Sequence, residues 1–360
     1  MALDMLLQQF YPPPIADMPI VLKDITADEL HDRLACIGLT PRQAQQIHAT
    51  VIRRGTLPAG DEGIKAKLLD EVRLRTAIPN LALVDKTVSP QDGFAKYLFR
   101  GDGPERFEAV RIPLLHRPDD LKYVVCVSSQ VGCAMGCAFC ATGRMGFRRN
   151  LAAWEIVDQV IKVRADSPHP VRGVVFMGMG EPMLNYDNVI QAARIFRQSC
   201  GLAIGGKAIT ISTVGIVPAI RRFTEERQIY RLVVSLNSAD PLRRRQLMPV
   251  EGAYSTGELI ESLRAYHEVI GRRVILAWTM MAGVNTRDED AQMLAELTRG
   301  LPITLNLIDV NDPTGRFRPP SRAELEAFRD ALRAKLAVPI VYRYSGGRDI
   351  HAACGMLAGI

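Results

Sequence analysis

The stretch Tyr123-Val-Val-Cys126-Val127, running on into Ser128-Ser-Gln-Val-Gly-Cys133-Ala-Met-Gly-Cys137-Ala-Phe-Cys140, decides the reading of the chain. A short β-branched run reads as a buried strand, and the loop leaving it carries three cysteines spaced C-x3-C-x2-C. The sequence has seven cysteines, at Cys36, Cys126, Cys133, Cys137, Cys140, Cys200 and Cys354. An odd number without a disulfide-framework spacing points to a reducing compartment. Three thiolates this close can converge on one metal centre. Structural zinc wants a fourth ligand, and none is near: no histidine occurs between His116 and His169, and Cys126 sits on the strand. A 4Fe–4S cluster held by three cysteines, with one iron left open, fits this pattern. Zinc or an accidental grouping is the alternative.

Outward from that loop, composition sets the frame. At about 100–200 residues per domain, 360 residues suggest about two domains. Apolar usage of 48% and charged usage of 23% exclude disordered and fibrous classes. The longest largely apolar run, Val274 to Val284, falls short of the ~18–20 residues of a bilayer span. No basic residue precedes Lys23 and Pro12-Pro13-Pro14 breaks the N-terminal apolar stretch, so a secretory signal is not expected. A net charge of +6 is compatible with a polyanionic partner without establishing one.

Residues 1–80 read as a small helical unit. Thr26 with Glu29 makes a capping box, Leu30, Leu34 and Ile37 form an apolar stripe, and Gly38 ends the helix. Thr40-Pro41 starts a second helix, and Gly63 to Arg75 reads as a third. Residues 81–118 read as a β-meander turning at Gly101-Asp102-Gly103. Across 119–345 strands alternate with helices: Tyr123–Val127, Gly173–Met177, Ala208–Ser212, Leu232–Leu236, Val274–Met280 and Ile303–Ile308, with helices including Leu151–Arg164, Thr256–Ile270 and Arg322–Lys335. Six strand–helix units imply an α/β fold, a parallel sheet curled into a partial (β/α)6 barrel. Residues 346–360 form a C-terminal segment. The cysteine loop, Gly178-Met179-Gly180-Glu181-Pro182, Ser212, Ser235 with Asn237, and Asn306 all fall toward C-terminal strand ends, where parallel barrels bind ligands.

Three segments, Cys126 to Cys140, Met177-Gly-Met-Gly-Glu-Pro182 and Asp349-Ile-His-Ala-Ala-Cys354-Gly, closely resemble the RlmN/Cfr family of radical S-adenosylmethionine (SAM) enzymes, which methylate an adenine of ribosomal RNA and in some cases transfer RNA. The likeness runs from about residue 20 onward and is strongest over 90–215. It implies a radical-SAM barrel, a 4Fe–4S cluster on Cys133, Cys137 and Cys140, and SAM on the open iron. An adenine C2 or C8 carbon is electrophilic, so methylating it needs radical chemistry supplied by a cofactor. By resemblance, Cys354 takes a methyl group from one SAM, and radical cleavage of a second SAM activates that methyl for addition to the base. Cys126 then frees the product by forming a disulfide with Cys354, which must be reduced again. Gly180, Glu181, Ser212, Ser235, Leu236, Asn237 and Asn306 match SAM contacts, Glu181 accepting from the amino group. Glu108 matches a proton acceptor. An RNA substrate, an electron donor such as flavodoxin or ferredoxin, a cytoplasmic setting, no membrane association and a monomer complete the expectation.

Other residues have plainer readings. Cys36 and Cys200 are expected to pack as small buried or half-buried hydrophobes. Arg53-Arg54, Arg148-Arg149, Arg221-Arg222, Arg243-Arg244-Arg245 and Arg272-Arg273 can track phosphates or serve as solvated surface; Arg148-Arg149, beside the cysteine loop, are the stronger RNA-facing pair. Aromatic content of 6% argues against broad base-stacking platforms. The sequence departs from the family at Ser235-Leu236-Asn237, where Ser-Leu-His is usual, in the loop Asp309 to Arg318, and in ending six residues after Cys354 without a basic tail. Two alternatives stay open: the same chemistry on a small molecule or peptide, and a non-catalytic RNA-binding protein with a structural cluster.

Overall fold

The structure is a computed structural model that describes residues 19–60, 63–114 and 121–359. The Pro12-Pro13-Pro14 stretch read against a signal sequence lies outside them.

The N-terminal unit pairs two short strands, β1 (Ile20–Val21) and β2 (Thr76–Ala77), beside three helices, α1 (Ala27–Leu34), α2 (Pro41–Arg54) and α3 (Ala66–Arg75). The Thr26–Glu29 capping box forms and Gly38 closes the turn after α1 with φ +81°. Leu30, Leu34, Ile47, Val51, Leu69 and Val72 make a core separate from the main one. Two expectations need correction here. The third helix starts at Ala66 rather than Gly63. Cys36 is exposed, not packed: after Leu34 the chain tightens into a 3-10 turn over Ala35–Ile37, whose three-residue period turns Cys36 off the apolar stripe.

The meander forms β3 (Ala82–Val88), β4 (Ala95–Arg100) and β5 (Arg106–Leu114), and β5 pairs antiparallel with β6 (Lys122–Val127). From β6 the sheet continues in parallel through β9 (Val171–Phe176), β10 (Ile209–Thr213), β11 (Arg231–Ser235), β12 (Val274–Met280), β13 (Ile303–Asp309) and β14 (Ile340–Arg343). The six expected strands are present, with ends displaced by at most two residues. The parallel run has seven members rather than six, because β14 joins it. That strand has four residues, none buried, so it lacks the continuous apolar signature of strands covered on both faces. The meander thus extends one ten-stranded sheet. A small pair, β7 (Gln130–Gly132) with β8 (Phe147–Asn150), brackets the cysteine loop and the short helix α4 (Ala141–Arg144).

Helices α5 (Ala153–Ala165), α6 (Tyr186–Arg197), α7 (Val217–Glu225), α8 (Pro241–Leu247), α9 (Thr256–Ile270), α10 (Asp288–Leu297) and α11 (Arg322–Lys335) follow. Ser255–Glu258 and Ser321–Glu324 cap α9 and α11 as read. Helix α5 joins the N-terminal unit to the site. Its Asp158 accepts from Lys23 Nζ at 2.7 Å, both side chains wholly buried, and from Leu81 N at 2.7 Å. One residue on, Gln159 accepts from Ser128 N at 2.9 Å and donates to Ser128 O at 3.1 Å, at the root of the cysteine loop. Asp24 accepts from Trp154 N, and burial pushes its carboxyl up to about 6. Among the described residues no helix is long and apolar enough to cross a membrane.

Candidate functional site

A cavity of about 170 Å³ opens at the C-terminal ends of the parallel strands. Ten of the residues singled out from the sequence line it. They are Cys133, Cys137, Cys140 and Cys354, together with Gly180, Glu181, Ser212, Ser235, Asn237 and Asn306. Glu108, Cys126 and Leu236 are not in its lining.

The loop folds this way because the β7–β8 bracket pinches it shut. Gly132 has φ +71°, and a Cβ there would lie 1.8 Å from Gly146 O, so no side chain fits. Cys133 N donates to Gly146 O at 3.0 Å and Cys140 N to Cys137 O at 3.1 Å, which curls the three sulfurs toward the cavity. Burial drives the Cys133 thiol up to about 12 and Cys137 well above its ordinary value; the neighbouring thiols and Glu181 add to this, and Arg244 opposes it at Cys137. As thiolates these sulfurs need a cationic centre. Among the described residues no three His, Cys, Asp or Glu groups are disposed to hold a single metal ion. The donor set, three cysteines lining one cavity with no fourth thiol or histidine in their loop, fits a cluster better than the zinc alternative.

Beside the cysteines, Gly180 adopts φ +100° against Gln130, whose Oε1 accepts from Glu181 N at 2.8 Å. The buried Glu181 carboxylate accepts from Met183 N and Val214 N, each at 2.9 Å. Burial outweighs these donors and pushes Glu181 up to about 7. A carboxylate so placed is primed for a cationic ligand. Asn237 has φ +59°, a conformation asparagine tolerates better than most residues. Its Oδ1 accepts from Thr279 N at 2.7 Å and its Nδ2 donates to Met248 Sδ at 3.1 Å, tying the β11 end to β12. The Leu236 side chain is wholly buried, so only its backbone remains for a ligand, with its N–H bonded to Ala277 O at 3.0 Å.

Cys354 is solvent-exposed at the cavity, yet protein crowds its sulfur and raises its pKa, with Arg343 pulling the other way. Cys126 lies buried on β6, paired with Val110 and Val175. Burial and then the charge of Cys354 raise its thiol. The segment carrying Cys354 is fastened along its length. Ala141 N donates to Gly355 O at 2.7 Å, Thr142 Oγ1 to Leu357 O at 2.6 Å and Asn311 Nδ2 to Cys354 O at 3.3 Å. Ala358 N and Gly359 N donate to Glu108 Oε2 at 2.9 and 3.0 Å, and Lys96 pairs with Oε1 at 3.0 Å. Glu108 is therefore fully buried beneath the C-terminal segment and outside the cavity.

Sequence reasoning missed Thr142, Asn311, Arg343 and Arg244. Thr142 and Asn311 meet the C-terminal segment from far along the chain, and Arg343 lines the cavity from β14, so no spacing marks them. Arg244 sat in a run read as either phosphate-tracking or solvated surface, yet it is wholly buried. Arg149 is likewise held by Glu155 through two bonds of 2.7 and 2.8 Å, which leaves Arg148 as the exposed member of that pair. Cys200 is half-buried, its sulfur 3.8 Å from His48 Nδ1. The divergent loop after β13 contacts the site: Arg144 reaches Asp312 at 3.3 Å, and Asn311 bonds Ser345 Oγ at 2.7 Å.

A family model described as the radical SAM superfamily matches residues 127–297. A probable RNA methyltransferase of Myxococcus xanthus is 46% identical over 341 residues, 94% of each chain. A probable dual-specificity RNA methyltransferase RlmN of Leptospira interrogans is 38% identical over 343 residues, 94% of this chain and 96% of its own. The crystal structure of a radical SAM methyltransferase from Sphaerobacter thermophilus matches 95% of this chain and 100% of its own, with a TM-score of 0.85 and 37% identity.

Proposed function

Because the chain belongs to the RlmN family of radical-SAM RNA methyltransferases, we propose that it methylates an adenine carbon, C2 or C8, of ribosomal or transfer RNA through a methylated Cys354. The observation that carries this reading is Cys354 in the lining of the cavity that gathers Cys133, Cys137 and Cys140, with Cys126 buried on β6, the strand from which the cysteine loop leaves. Binding RNA alone needs neither of those two thiols.

In this reading Cys133, Cys137 and Cys140 hold the 4Fe–4S cluster, which with SAM bound supplies the radical chemistry. Glu181 accepts from the SAM amino group, the bare backbone at Gly180 lets the ligand approach, and Ser212, Ser235, Asn237, Asn306 and the Leu236 backbone complete its seat. The Cys354 sulfur takes the methyl group as a nucleophile. Once the methyl carbon has joined the base, Cys126 attacks the Cys354 sulfur, and that sulfur's bond to the carbon breaks with its electron pair leaving on the base. The disulfide so formed needs two electrons from a cellular reductant before the next turnover. Glu108 enters as the residue that holds the Cys354 segment; service as proton acceptor requires Ala358 and Gly359 to leave it first. A reducing, cytoplasmic setting and a low-potential donor such as flavodoxin or ferredoxin follow from these needs.

The test is anaerobic reconstitution with methyl-labelled SAM, ribosomal RNA and transfer RNA, read by nucleoside mass spectrometry. Methylated adenosine is expected with wild type and absent with C354A, while C126A accumulates protein crosslinked to RNA. Label on Cys354 with no methyladenosine in either RNA overturns the substrate. Unchanged methylation by C354A overturns the mechanism.

A further inference from the structure

Arg244 is a guanidinium with no exposed surface, carried on α8 immediately behind the cysteine loop. Guanidinium stays charged in proteins, and a buried ion pair is seldom a better stabiliser than well-packed apolar side chains. Its presence there calls for another account.

Its bonds place it. One nitrogen pairs with Glu251, Nη2 donates to Val214 O at 2.7 Å, and Nε donates to Leu236 O at 3.3 Å. The two carbonyls belong to the segments leaving β10 and β11, and Val214 N is the donor that fixes Glu181. Helix α8 is also bonded to the cysteine loop itself. Leu247 O accepts from Ala138 N at 2.9 Å, and Pro249 Cγ lies 3.8 Å from where a Cβ on Gly136 would stand. The loop segment that presents Cys137 thus rests on the helix that carries the cation.

The charge is oriented. Thr256 donates to both oxygens of Glu251, N to Oε1 at 2.9 Å and Oγ1 to Oε2 at 2.8 Å, holding the carboxylate toward the start of α9. Val214, whose carbonyl accepts from the guanidinium, lines the same cavity as Cys137. The potential of an iron–sulfur cluster depends on the net charge and hydrogen bonding around it. A cation fixed in a low-dielectric wall favours the form carrying the extra electron.

We propose that Arg244 is a positioning residue for the cluster: held by Glu251, Val214 and Leu236, its buried cation raises the reduction potential of the centre on Cys133, Cys137 and Cys140. This rests on the cluster assignment made under the proposed function and on nothing about the RNA. The step concerned is a one-electron reduction by an external low-potential donor, with no bond made or broken in the protein.

The experiment is an EPR-monitored redox titration of the reconstituted full chain without SAM or RNA, using dithionite and mediator dyes, with iron content measured alongside. E251Q leaves the cation uncompensated and shifts the midpoint to a more positive value. R244Q/E251Q removes both charges and shifts it below that of E251Q. The separation between these two variants is at least about tenfold in the reduced-to-oxidised ratio at fixed poise, about 59 mV for a one-electron couple. R244K keeps the charge and stays close to wild type. Wild-type potentials in E251Q and R244Q/E251Q, at full iron content, overturn the proposal. If R244Q/E251Q does not fold or load iron, E251Q decides alone, and an unshifted midpoint there overturns it equally. A wild-type chain that takes up no 4Fe–4S cluster overturns instead the reading on which this one rests.

Discussion

Gly180 offers a direct measure of how tightly the ligand seat is built. At φ +100° an added Cβ would lie 2.6 Å from Gln130 Cβ and 2.8 Å from Gln130 N. Gln130 has little room to yield, since its N donates to Met179 O at 3.2 Å and its Oε1 accepts from Glu181 N at 2.8 Å. In G180A the positive φ costs roughly 1–2 kcal/mol and the collision roughly 1–3 kcal/mol. The sum is about 2–5 kcal/mol. Gly271, which closes α9 at φ +71° with nothing within 4 Å of its would-be Cβ, isolates the first contribution. G271A should therefore lose only the strain, roughly 1–2 kcal/mol. Urea unfolding of the cluster-free protein compares the two variants, and equilibrium dialysis of reconstituted protein measures SAM binding. G180A should be the less stable by about 1–3 kcal/mol and bind SAM at least about tenfold more weakly, because relieving the collision drags Glu181. Equal stability of the two variants, with SAM affinity within about twofold of wild type, would refute the close-packing argument.

Three further outcomes follow from the same geometry. The folded Glu181 carboxyl, raised to about 7 from 4.5, binds its proton more tightly than the unfolded chain does. Its contribution is thus fully present below about pH 4.5 and lost as pH rises through about 7, by about 3 kcal/mol in cluster-free protein. The urea-measured stability difference between wild type and E181Q should change by that order between pH 5 and 8, and a flat difference contradicts the buried-carboxylate account. D158N strands the buried Lys23 cation and should cost about 3–5 kcal/mol. K23M/D158N should recover much of that loss, since the amide oxygen can still accept from Leu81 N; equal losses in both variants would discard the ion-pair explanation. E108A frees Ala358 N and Gly359 N, so hydrogen exchange of the C-terminal peptide should quicken by at least about tenfold, given roughly 1.5–3 kcal/mol for hydrogen bonds to a charged group. Unchanged exchange would mean that Thr142 and Asn311 hold the segment without Glu108.

The parallel strands and the cysteine loop were legible because their signals are local. Val124–Val127 and Val274–Met280 are apolar runs, and the C-x3-C-x2-C spacing is continuous in the sequence. The convergence of polar groups on one cavity was legible as well, since a parallel sheet puts all its C-terminal strand ends on one side. What escaped depends on partners far apart in the chain. Glu108 meets Ala358 across 250 positions, and nothing on β5 signals that its carboxylate holds the C-terminal segment. Arg244 resembles its exposed neighbour Arg245, and only α8 packing against the cysteine loop removes it from solvent. β14 and the β7–β8 bracket are too short for a periodic pattern.

The fastening of Ala358 to Glu108 sets a leash on Cys354. Four residues separate the thiol-bearing position from the anchored amide, and extended chain covers at most about 3.3–3.6 Å per residue. While the anchor holds, Cys354 can range over no more than about 14 Å, on one side of the strand that lies beside Cys126. On the proposed function, a target base leaves its stack and travels to the cavity that Cys354 lines. The RNA makes the larger movement, and the sites best suited to it are those whose target base is already unpaired.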